Sequence, residues 1–152
     1  MIQRIQTVFL LIAFILVGLL FFIPFASIMS TDIFNLSILG VSSVNPKLNA
    51  GLEQPFWLTG LGTISALLIL IDIFLYKKRK LQINLCFVSL VLLIALNLSM
   101  YTVTQDFHTL FSAEISYKIA FVFPLVAAVL VFLAYRSIKK DDNLVRSLDR
   151  IR

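Results

Sequence analysis

One acid stands inside an otherwise apolar run, Asp72 in Ile69-Leu70-Ile71-Asp72-Ile73-Phe74-Leu75. An ionisable side chain within a membrane helix costs at least about 2.5–3.5 kcal/mol at mid-depth and by default marks function. Two chemistries are open to it. It could couple a proton or an ion, or it could form a structural salt link. The second fits its position one helical turn before Tyr76, because Lys77, Lys78 and Arg79 follow at once. Asp106, His108 and Glu114 form another group. Asp-x-His could donate two metal ligands and Glu114 a third. The chain has a single His and a single Cys, so no His-x-x-x-His or Cys pair supports such a site. These three residues read as a solvated polar loop, with no metal, no cofactor and no catalytic set.

Asn84 and Asn97 are the other polar candidates within apolar sequence. Thirteen residues of helix separate them, or about 220° around the axis. They lie on different faces, so they build no common path, and each is predicted to hydrogen-bond a neighbouring helix. Cys86 reads as a small buried or lipid-facing side chain. Asn35-Leu36-Ser37 matches a glycosylation sequon, but the same pattern recurs at Asn97-Leu98-Ser99 in apolar sequence and carries little weight. No Ser/His/Asp set, paired intramembrane acids or glycine-rich phosphate loop is present.

The elements that must position these residues follow from composition. Of 152 residues, 60% are hydrophobic and 14% charged. Soluble domains run about 45–50% apolar and about 25% charged. The excess must face lipid, which excludes a soluble enzyme, a disordered tail and a disulfide scaffold. A hydrocarbon core about 30 Å thick needs about 20 apolar helical residues. Charge-free or nearly charge-free runs of that length predict four helices, about Thr7–Ser27, Phe56–Tyr76, Leu81–Tyr101 and Lys118–Tyr135. The runs are continuous rather than alternating, which excludes a transmembrane barrel. The fold class is therefore an all-α membrane protein: one integral domain over residues 1–152, as an antiparallel four-helix bundle. The long first external segment, about Ile28–Pro55, contains Ile33–Val41 with partial alternation. It reads as one strand, or a hairpin, in a small cap over the outer helix ends. The second link, about Thr102–Tyr117, reads as a loop.

Charge placement orients the chain. Eleven of the 13 basic residues fall at the N-terminus (Arg4), in the loop Lys77, Lys78, Arg79 and Lys80, or after Tyr135. The positive-inside rule places both termini in the cytoplasm. That bias also explains the basic pI, so nucleic-acid binding is not expected. The first apolar run is long for a signal peptide and reads as an uncleaved anchor. On the second helix, Thr59, Gly62, Thr63 and Ala66 form a small-residue stripe that predicts close helix approach.

Beyond Tyr135, residues 136–152 read as a cytoplasmic tail. Leu144, Val145, Leu148 and Ile151 recur on one helical face, with Arg146 and other charges mostly opposite. Such a helix could lie on anionic headgroups or dock on a partner. Gln3, Arg4 and Gln6 are expected to cap or pair with Asp141, Asp142 or Asp149, so that both termini form one platform.

Three stretches resemble an uncharacterised family of small four-helix membrane proteins from Bacteroidota. They are the start Met1-Ile2-Gln3-Arg4-Ile5-Gln6-Thr7-Val8-Phe9, the centre Lys78-Arg79-Lys80-Leu81-Gln82, and the end Lys140-Asp141-Asp142-Asn143-Leu144-Val145-Arg146. The resemblance implies a bacterial inner-membrane protein of four helices and no activity. Function is then expected to be non-enzymatic: an accessory or scaffold subunit in the lipid bilayer, partnered by another membrane protein or by itself. The alternative is a small oligomeric channel or transporter using Asp72 or Asn97. An external metalloenzyme built on Asp106, His108 and Glu114 is the third and weakest option.

Overall fold

Long uninterrupted apolar stretches without Gly or Pro breaks form helices, and the segments between them supply the strands. The computed structural model describes residues 3–29, 33–43, 56–75, 78–111 and 114–149. In chain order these give α1 (Gln3–Leu19), β1 (Ala26–Met29), β2 (Ile33–Leu36), β3 (Val41–Ser43), α2 (Phe56–Phe74), α3 (Arg79–Phe111), β4 (Glu114–Tyr117) and α4 (Phe123–Asp149), with a 3-10 turn at Ile119–Val122 leading into α4. The chain is thus mostly helical, with four helices and a small sheet.

Three helical stretches are long and apolar enough to cross a membrane: Phe56–Phe74, Lys80–Thr109 and Ile119–Asp141. They mark the chain as a membrane protein. The first helix differs from expectation. Its apolar part, Ile5–Leu19, is shorter, about 22 Å at 1.5 Å per residue. It does not continue to Ser27. Pro24 has no N–H to donate and disfavours the helical region at Ile23. The chain instead tightens into a turn, with Leu20 N–H bonding Val17 C=O at 3.2 Å and Phe22 N–H bonding Leu19 C=O at 3.0 Å. Ser27 then belongs to β1.

Two other helices overrun their expected ends. α3 passes Tyr101 and continues to Phe111, because no Gly or Pro stops it and Val103 and Phe107 keep an apolar face packed at i, i+4. At 33 residues it is about 50 Å long. α4 likewise absorbs the tail, running unbroken to Asp149, so no separate C-terminal helix forms within the described residues. Pro124 sits in its first turn, where an N–H has no α-helical carbonyl to bond.

The cap is a four-stranded antiparallel sheet of order β3-β2-β1-β4, larger than the single strand or hairpin expected there. β1 pairs with β2 through Ser27 opposite Asn35, and with β4 through Ser27 opposite Ser116. The second link therefore contributes a strand rather than a loop. β2 lies inside the sheet, and the edges are β3 and β4. Phe25 N–H to Leu36 C=O (2.8 Å) and Lys118 N–H to Phe25 C=O (2.9 Å) extend the ladder.

Around the helical layer α1 packs on α2 and α4, and α3 packs on α2 and α4. One buried cluster runs between the helices through Leu10, Val17, Ile69, Leu93 and Val131. A second joins the sheet to the overhanging end of α3 through Ile28, Phe34, Leu36, Met100 and Phe107. The outward helix faces are apolar, as at Ile12, Leu67, Phe87 and Val129. An apolar surface this continuous needs lipid or protein to cover it.

The small-residue stripe has a different partner from the one expected. A Cβ on Gly62 would meet Ile38 at 3.4 Å and Phe21 at 3.5 Å, so the close neighbour is the cap, not another helix. Thr59 Oγ1 donates to Ile38 C=O at 2.7 Å beside it. Gly60 faces open space. Gly62→Leu is expected to destabilise the detergent-solubilised protein by about 1–3 kcal/mol through overpacking. Gly60→Leu, on the outward face, is expected to leave the thermal unfolding midpoint unchanged or raise it, since Leu has the higher helix propensity.

Candidate functional site

Position 72 falls on the inner face of α2 because Leu58, Gly62, Ser65, Ile69 and Asp72 recur at three- and four-residue intervals and are the buried positions of that helix. The short link to α3 folds the two helices against each other. Gln82, Cys86 and Ser89, spaced i, i+4, i+7 on α3, are all buried and meet this face. Asp72 is fully buried. Ser89 Oγ donates to Asp72 Oδ2 at 3.3 Å. The Cys86 thiol lies beside the same carboxyl. Gln82 Nε2 donates to the Asp72 backbone carbonyl at 3.0 Å. That carbonyl is among the last four of α2, which have no partner within their own helix, so Gln82 acts as a side-chain cap. Asp72 Oδ1 is buried with no hydrogen-bond partner.

Of the three partners expected for a salt link to the basic loop, Lys78 alone has a described side chain. Asp72 points inward at α3, while Lys78 and Lys80 are exposed. Lys77 and the side chain of Arg79 lie outside the described residues. No cation reaches Asp72 among the described residues. An inward helix face sends the side chain away from the headgroup zone, whatever its distance in sequence from a basic loop.

Asn97 meets its expectation. Its Nδ2 donates to Phe121 C=O at 2.9 Å. In the 3-10 register the donor for that carbonyl would be residue 124, and Pro124 has no N–H. Asn97 therefore supplies the bond that proline withholds. Asn84 does not pair with a neighbouring helix; it is exposed, because it falls on the opposite side of α3 from Gln82, Cys86 and Ser89. Asp106 and His108 are exposed near the end of α3, and Glu114 is exposed on β4. Among the described residues no three His, Cys, Asp or Glu side chains gather into a metal-sized group.

At the far end, Gln6 Nε2 donates to Asp141 Oδ2 at 2.6 Å, joining the start of α1 to the late part of α4. This is one of the terminal pairings expected from sequence. The side chains of Arg4, Val145, Arg146 and Leu148 lie outside the described residues, as does Ile151; Leu144 is exposed. In the cap, Lys118 Nζ donates to Asn35 Oδ1 at 2.7 Å, so the sequon asparagine is engaged within the fold.

The polar stripe Gln82-Cys86-Ser89 escaped the sequence reading, which weighed the two asparagines instead. Its signal was present: three polar or small side chains at helical spacing, starting ten residues after an acid across a tight hairpin. Gln82→Leu removes the cap on α2 and is expected to cost about 1–3 kcal/mol, the penalty for an unpaired buried carbonyl. Asn97→Leu should cost a similar amount for the same reason. Chemical unfolding of each variant in one detergent measures both.

A comparison with curated proteins finds no match. A family model covers nearly the whole sequence, residues 2–151. The chain belongs to that family, described as a domain of unknown function (DUF4293).

Proposed function

We propose that this chain is a non-enzymatic integral protein of a bacterial inner membrane, serving as an accessory or scaffold subunit of a membrane complex. The observation that carries the proposal is the pair of organised surfaces at opposite ends of an apolar helical layer. At one end Gln6 and Asp141 tie α1 to α4 beside the basic residues. At the other, the four strands form a sheet braced by the α3 overhang. Along α4, Phe123 and Asp141 are about 27 Å apart, close to the thickness of a hydrocarbon core.

In this reading all four helices cross the bilayer as an antiparallel bundle. Both termini and the Lys77–Lys80 loop face the cytoplasm under the positive-inside rule, and the sheet faces outward. The partners are the lipid bilayer and another membrane protein, or a second copy of the chain; nucleic acid is not among them. Arg4, Lys77, Lys78, Arg79 and Lys80 lie where anionic headgroups attract basic side chains by about 1 kcal/mol each.

A second reading, a small oligomeric channel or transporter, is favoured by one observation: the unpartnered Oδ1 of Asp72. Affinity isolation from native membranes in a mild detergent, followed by native mass determination, separates the two. A different membrane protein recovered in fixed stoichiometry is the expected result. A homo-oligomer with nothing attached, whose reconstituted ion flux disappears in Asp72→Asn, would replace the scaffold reading with the channel.

A further inference from the structure

A buried carboxyl is neutralised by a proton or by a cation, and the helices around Asp72 supply no cationic side chain among the described residues. On α1, which packs against α2, residues 5–19 contain no ionisable side chain. On α3 the ionisable group facing Asp72 among the described residues is Cys86; the side chain of Arg79 lies outside them, Lys80 is exposed, and Tyr101, Asp106 and His108 lie more than four turns beyond Cys86 along the helix. Asp72 itself is fully buried, with Oδ1 unpartnered. An unpaired buried charge costs several kcal/mol, so a helix pair that keeps one withdrawn from solvent is incomplete as it stands.

We propose that Asp72 anchors an intramembrane binding site for one small monovalent cation, a proton or a sodium ion. Three facts carry it. Oδ1 of Asp72 is buried and has no hydrogen-bond partner. Ser89 Oγ, which donates to Oδ2, and the Asp72 backbone carbonyl that Gln82 Nε2 holds are further oxygens beside the carboxyl, and hard cations take oxygen ligands. One carboxylate balances one positive charge, whereas a divalent ion would leave a buried excess. The site follows from α2 and α3 alone and does not rest on the scaffold role.

A cation that binds only the folded state raises stability with its concentration. Purified full-length protein in detergent is unfolded thermally while sodium replaces choline at constant ionic strength, and separately across a pH series. A sodium site raises the midpoint by about 3–6 °C per tenfold sodium above its dissociation constant. A proton site responds to pH and ignores sodium. In either case Asp72→Asn abolishes the response and Lys78→Gln, on the exposed loop, retains it. A wild-type midpoint flat in both series, or a response that survives Asp72→Asn, overturns the proposal. Should Asp72→Asn fail to fold, dicyclohexylcarbodiimide labelling of the wild type decides. An adduct mapped to Asp72 and suppressed by sodium or by pH supports the site; no cation-dependent adduct at Asp72 overturns it.

Discussion

The architecture depends on how the chain leaves α1. In lipid every backbone N–H and C=O must find a partner within the protein. Ending a helix at Leu19 exposes such groups, and Pro24 prevents the simple remedy of continuing. The chain meets the demand in two steps. Tight turns satisfy residues 20–23, with Ile23 N–H bonding Leu19 C=O at 3.0 Å. The ladder then takes over at Phe25, whose N–H and C=O both bond to the sheet. The cap is thus continuous with the helical layer. Gly62 leaves room for Ile38 and Phe21 at the same junction, and the α3 overhang walls the sheet through Val103 and Phe107.

The interior polar groups obey the same demand at smaller scale. Asn97 answers the carbonyl that Pro124 leaves without a 3-10 donor, Gln82 caps the end of α2, and Gln6 closes α1 onto α4. Each of these bonds links two different elements. Such bonds fix the relative depth of helices that nonspecific apolar contact would allow to slide. Asp72 stands apart, because one of its oxygens is left over.

Charge spacing made the helices legible in the sequence, since gaps between Arg4, Asp32, Glu53, Lys80, Asp106 and Lys118 measure how much chain can enter lipid. The same signal misplaced the helix ends. A charge marks where a membrane ends, not where hydrogen bonding stops, so α3 runs on past Tyr101 and α4 past Tyr135. β4 was hidden because Glu114-Ile115-Ser116-Tyr117 is too short to show a period and becomes a strand only against β1. The polar stripe on α3 was readable at i, i+4, i+7, but its meaning depends on facing Asp72, which is a tertiary fact. The Gln6–Asp141 contact is one of several pairings that the complementary polar residues of the two ends made readable.

Because α1 is the shortest of the helices, its passage across the bilayer is the central claim and the one most directly measured. Single cysteines at Gln3, Ser42 and Asn143, in a Cys86→Ala background, are probed with a membrane-impermeant thiol reagent on right-side-out membrane vesicles. The account predicts labelling of the Ser42→Cys protein in intact vesicles, and of the Gln3→Cys and Asn143→Cys proteins only after permeabilisation. Labelling of Gln3→Cys and Ser42→Cys together from the outside would contradict it, leaving three crossing helices and the two termini on opposite faces.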